Sequence, residues 1–107
     1  GIATLIAQDP DIFLLDEPVD QLDPYYQIHV LQHFRSRAIT EGKLVIMSLH
    51  DVNLAAKFCD NVMLLFGSGE VLFGTTYKIL CPNVLEKLYG IRMRMITTAD
   101  AIAFLPE

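Results

Sequence analysis

The sequence predicts an α/β fold: a partial core of parallel strands with flanking helices, followed by a small tail of β-hairpin and helix. Three features predict it. Two short apolar runs without alternation, Ile12–Leu15 and Leu44–Met47, are separated by a stretch whose apolar residues recur at helical spacing. Each run ends in polar, chemically capable residues, the place where open α/β sheets bind their ligands. Gly67-Ser68-Gly69 then joins two further apolar runs as a tight hairpin turn would.

Taken in order, residues 2–8 read as the tail of a helix stopped by Asp9-Pro10. Ile12-Phe13-Leu14-Leu15 comes next as a strand, and its unbroken apolar character predicts burial on both faces. Asp23-Pro24 opens a helix, with Asp at the N-cap and Pro at the first helical position. Ile28, Leu31, Phe34 and Ala38 mark its apolar face, and Glu41-Gly42 ends it. Leu44–Met47 is the second buried strand. A helix over 52–59 leads to a third strand, Val62–Phe66, and the glycine turn leads back into a fourth, Val71–Phe73. The strand, helix, strand, helix, strand order predicts a right-handed layer with a parallel sheet. Helices are expected at 75–80 and 83–89, and the alternating tail predicts a closing hairpin around Thr97-Thr98-Ala99-Asp100.

The 107 residues allow one small domain, and 52% of them are apolar against 20% charged. With a mean hydropathy of +0.37, this is no disordered segment. It is also more apolar than a free-standing body of this size needs, because small domains have little interior; the chain therefore reads as a piece of something larger. Eight Lys and Arg against 13 Asp and Glu give a net charge of −5, which argues against nucleic acid or an anionic membrane surface as the main partner. No apolar run reaches the ~18 residues of a membrane span. Cys59 and Cys81 are spaced as neither a disulfide framework nor a zinc site, which fits a reducing cytosol.

The chemistry gathers at the two strand ends. Asp16-Glu17 directly succeeds four buried apolar residues, where a carboxylate is costly unless it meets a cation, a donor or water. In phosphoryl-transfer sites the first such acid serves magnesium and the next can polarise an attacking water. His50 lies beyond the second strand, at the same sheet edge, where an imidazole can donate to a phosphate or hold that water. Alone, Asp16-Glu17-Pro18 would read as a turn and His50 as a loop or capping residue.

The match is longer than either. Ile12-Phe13-Leu14-Leu15-Asp16-Glu17-Pro18-Val19-Asp20-Gln21-Leu22-Asp23 resembles the Walker B and D-loop of ATP-binding-cassette (ABC) ATPases, with Val19 where that family usually has Thr. Met47-Ser48-Leu49-His50-Asp51-Val52-Asn53-Leu54 resembles the family's H-loop, and 60–74 resembles the strand and glycine turn that the family carries after its H-loop. The interval from Asp16 to His50 holds one helix and one strand, as in the family. By this resemblance the fold is a partial P-loop NTPase (RecA-like) core. Asp16 would be the magnesium-side acid, acting through water; Glu17 the catalytic carboxylate; His50 the γ-phosphate sensor; and Asp23 the aspartate that reaches across a nucleotide-sandwich dimer. The implied cofactors are ATP and Mg2+. The implied partners are a second nucleotide-binding subunit and a transmembrane permease, which would hold the subunit at the cytoplasmic membrane. His50-Asp51-x-Asn53-Leu54-Ala55-Ala56 and Leu85-Glu86-Lys87-Leu88-Tyr89-Gly90-Ile91 are similar to ATPases of metal-chelate importers of the cobalamin, haem and iron-siderophore type.

The family's Gly-Lys-Ser/Thr loop, glutamine loop and Ser-Gly-Gly signature are absent from these 107 residues. In the family they lie upstream, so residues 1–107 read as the C-terminal portion of a nucleotide-binding domain. Gly69 to Thr76 is no substitute, because Thr75 stands where the lysine must be and a strand replaces the loop. By itself the chain should neither bind ATP tightly nor hydrolyse it. His29 and His33 have the i, i+4 spacing of a metal pair, but a solvated helix face explains them better. Arg92 and Arg94 alternate with Met93 and Met95 as a half-buried strand does, and Tyr25-Tyr26 opens a helix. Two other functions compete: a chromosome-maintenance or DNA-repair ATPase, against which the acidic balance counts, and a non-catalytic dimerisation or binding module.

Overall fold

The computed structural model describes residues 10–107; the helix expected over 2–8 lies outside them. Contacts divide the chain into two compact units, the first ending at His50 and the second beginning at Asp51.

In the first unit, β1 (Ile12–Leu15) and β2 (Leu44–Met47) pair in parallel, with Ile12 opposite Leu44 and Leu15 opposite Met47. The connection is α1 (Pro24–Glu41), and its ends are those the sequence predicts. Asp23 is extended and its side chain accepts a hydrogen bond from the Tyr26 N–H, while Gly42 closes the helix at φ 67°. That left-handed turn is one glycine adopts at little cost. Phe13, Leu15 and Phe34 form the core of this unit, with Val30, Val45 and Met47 packed against it. The Phe13 and Phe34 rings meet edge to face, their centroids 5.3 Å apart.

One expectation fails here. Ile12, Leu14, Leu44 and Ile46, on the other face of the two strands, are 52% to 67% exposed. Strands alternate their side chains, so α1 covers only the face that carries Phe13 and Leu15. Among the described residues no element covers the opposite face. An uncovered apolar sheet with open strand edges invites association. The 107-residue chain alone should therefore self-associate. Light scattering over a dilution series checks this, and a mass near 12.0 kDa at every concentration would show a chain that closes on itself.

In the second unit, Asp51 caps α2 (Val52–Phe58) by accepting from the Asn53 and Leu54 N–H groups. β3 (Asn61–Leu65) and β4 (Val71–Thr75) form the expected antiparallel hairpin, Asn61 opposite Thr75, with Gly69 in its turn at φ 93°. Among the described residues β3 pairs with β4 and takes no part in the parallel ladder, which consists of β1 and β2. The tight glycine turn accounts for the β3–β4 pairing itself, since it brings β4 back alongside β3. After α3 (Thr76–Ile79) and α4 (Pro82–Tyr89), β5 (Met93–Thr97) and β6 (Ile102–Pro106) make the closing hairpin. Along β5 only Met93 is buried, so the alternation in the sequence overstates how much of that strand is covered.

The core of this unit is Leu80, Leu85, Met93 and Phe104. Asn53 fastens β6 to α2, accepting from the Phe104 N–H at 2.6 Å and donating to its carbonyl at 3.1 Å. No helix among the described residues is long and apolar enough to cross a membrane.

Candidate functional site

The site lies wholly in the first unit and is built by the parallel register. Because Leu15 sits opposite Met47, the next residues, Asp16 and Ser48, leave the sheet side by side. The ladder runs one rung further, with the Ser48 N–H donating to the Leu15 carbonyl at 3.1 Å. The Ser48 hydroxyl then donates to Oδ1 of Asp16 at 2.8 Å. Its oxygen accepts the N–H of Glu17 at 2.9 Å.

Glu17 turns the chain. Its φ of 46° makes it the sole non-glycine residue with positive φ among those described, a conformation that costs about 1–3 kcal/mol. Two short hydrogen-bonded turns come next, from the Asp20 N–H to the Glu17 carbonyl and from the Leu22 N–H to the Val19 carbonyl. Val19 is buried, and its carbonyl accepts from Nε2 of Gln27 on α1 at 3.2 Å. This anchors the loop to the helix.

The loop brings Glu17 to His50, whose Nε2 lies 2.5 Å from Oε1 of the glutamate. With the glutamate ionised, Nε2 carries the proton and donates it into this contact. The His50 side chain is 74% exposed and that of Glu17 37%. Exposed pairs of this kind add only about 0–1 kcal/mol to stability, so the contact matters for placement. Asp20 joins them: one possible ligand atom each from Glu17, Asp20 and His50 lies within 4.8 Å of the others.

Of the four residues that the sequence singles out, the structure brings Glu17 and His50 into contact and sets Asp16 beside Glu17. Asp23 is not part of this group and serves as the N-cap of α1. Ser48 and Asp20 are the residues that sequence reasoning misses. Ser48 was open to detection, as the first polar residue after β2 where Asp16 is the first after β1; Asp20 was not, because only the loop geometry brings it back. His29 and His33 lie exposed on α1, with their rings against Tyr25 and Phe34, as a solvated helix face predicts.

Chemically the site offers a strand-end carboxylate, a second carboxylate able to orient or deprotonate water, and an imidazole donor in contact with it. That set suits hydrolysis of a phosphoanhydride. No family model matches the chain. It is 39% identical to a hemin import ATP-binding protein of Bordetella avium over 85 residues, which are 79% of this chain and 33% of that protein. A hemin import ATP-binding protein of Pseudomonas fluorescens is 40% identical over 84 residues, 78% of this chain and 32% of the relative. The structure superposes on a metal-chelate type ABC transporter in an inward-facing conformation with a TM-score of 0.88 and 27% identity, over 99% of this chain and 43% of that one. In sequence and in fold the chain matches ABC ATPases. It spans about a third of the length of the curated relatives it matches.

Other ABC relatives carry different names. The petrobactin import ATP-binding protein of Bacillus anthracis is 27% identical over 89% of this chain and 38% of its own length. A phosphonates import ATP-binding protein of Haloquadratum walsbyi is 38% identical over 84% of this chain and 32% of its own length. Magnesium, which ABC ATPases use with ATP, is a hard cation that takes oxygen ligands and keeps several waters. Asp16 fits that demand: its carboxylate is exposed at the strand end, and Ser48 orients it through Oδ1. The Glu17, Asp20 and His50 group, with a nitrogen donor, suits that cation less well.

Proposed function

We propose that the chain is the C-terminal portion of the nucleotide-binding domain of an ABC importer, and that it supplies the water-activating side of the ATP site. The contact between Glu17 and His50 at the ends of the parallel strands carries this reading. Asp16 would hold magnesium, through water. Bound with ATP, magnesium neutralises charge on the phosphates and orients them. Glu17 takes the position of the carboxylate that orients the attacking water and accepts its proton. His50 donates from Nε2, and moving that donor from Glu17 to a phosphate oxygen would free the carboxylate for the water. Asp23 is exposed at the helix start; with Oδ1 accepting the Tyr26 N–H as the N-cap of α1, its other carboxylate oxygen would be the atom offered to a second copy.

The relatives support the rest of the reading. The subunit would work as a pair, at the cytoplasmic side of a membrane permease. Its cargo would be a metal chelate of the haem or ferric-siderophore class, the class that the hemin and petrobactin relatives support. The 107 residues alone would lack the phosphate-binding loop and lysine, and positioning is most of phosphoryl-transfer catalysis. Calorimetric titration of the 107-residue chain with ATP and magnesium should show no tight binding; a micromolar dissociation constant would overturn this division of labour. The function itself is tested with the full-length subunit and its permease in proteoliposomes. ATP-dependent uptake of haem or a ferric siderophore is the expected result, and uptake of a phosphonate instead would reassign the cargo.

A further inference from the structure

One hydroxyl group meets both the carboxylate of Asp16 and the backbone of Glu17. Ser48 has a single hydroxyl proton, and it goes to Oδ1 of Asp16 at 2.8 Å. The lone pairs of the same oxygen then face the Glu17 N–H at 2.9 Å. The arrangement is directional: donor toward the carboxylate, acceptor toward the amide. It also meets two needs at once. Asp16 gains a fixed rotamer, with Oδ1 engaged and the rest of the carboxylate turned to solvent. Glu17 gains a partner for a backbone N–H whose φ of 46° would otherwise be unfavourable.

We propose that Ser48 is a positioning residue that sets the magnesium-side carboxylate of Asp16 and the left-handed turn of Glu17 with one hydroxyl, so that Glu17 can meet His50. The inference rests on the proposed ATPase function for its kinetic consequence, but its structural consequence stands apart. Alanine would remove both hydrogen bonds together. Threonine would keep the hydroxyl, and Ser48 is exposed, so the extra methyl has room at a strand end that favours β-branched residues.

The test is made on the full-length subunit. Ser48→Ala should lower kcat for ATP by about 10- to 100-fold, the usual effect of removing a partner that orients a metal-side ligand, with KM for ATP within about 3-fold of wild type. The concentration of Mn2+ that half-saturates the ATP-bound subunit, monitored by its electron paramagnetic resonance signal, should rise by about 10-fold. Hydrogen exchange at the Glu17 amide should quicken. Ser48→Thr should return all three readings to within about 3-fold of wild type. Wild-type kcat, Mn2+ affinity and Glu17 exchange in Ser48→Ala would overturn the proposal. So would a loss that Ser48→Thr fails to rescue and that tracks a fall in melting temperature, since that would make Ser48 a merely structural residue. If the wild-type subunit itself does not hydrolyse ATP, the functional reading fails, and the Mn2+ and exchange measurements still decide the role of Ser48.

Discussion

Glu17→Gln in the full-length subunit should reduce ATP turnover by about 10²- to 10⁴-fold, the range for removing a positioned general base, while ATP still binds. Glutamine keeps the length and shape of the side chain, and its Oε1 can still accept from Nε2 of His50. The turn at φ 46° is a backbone property, which the substitution leaves in place. The variant loses the capacity to take a proton from water. The paired measurement is steady-state phosphate release alongside equilibrium binding of ATP. Wild-type turnover in the variant would remove Glu17 from the chemistry, whereas loss of binding would make it a residue that holds the nucleotide.

His50→Ala should cut turnover by about 10²-fold or more, the scale for losing a positioned transition-state donor. The substitution also strips Glu17 of its 2.5 Å partner. Because the two side chains act on the same water and phosphate, their effects should not add. The double variant should be little slower than Glu17→Gln alone. Fully additive losses would show that the contact between them has no part in turnover.

Much of this was legible from residue types and spacing. The apolar runs marked β1 and β2 to the residue, and Asp23-Pro24 and Gly42 marked both ends of α1. These signals are local, set by capping chemistry and by the backbone freedom of glycine. The strand-end placement of Asp16 and His50 was legible for the same reason. Whether a strand is covered on one face or two depends on chain lying elsewhere. The unbroken run Ile12–Leu15 therefore predicted a cover that the described residues do not supply over Ile12 and Leu14. The role of Ser48 needed the register, because only Leu15 opposite Met47 places its hydroxyl beside Asp16. Asp20 needed the positive φ of Glu17, which folds the loop back and which no sequence signal at a glutamate foretells. Composition showed a chain more apolar than a body of its size needs, but not which faces carry the exposed apolar side chains.

The most direct measurement is a structure of the full-length Glu17→Gln subunit with ATP and magnesium. If the proposed mechanism holds, the magnesium lies within reach of Asp16, directly or through one water, and the γ-phosphate within hydrogen-bonding distance of Nε2 of His50. The side chain at position 17 should face a water in line with that phosphate. A nucleotide bound with Asp16, position 17 and His50 all turned away from its phosphates would contradict it.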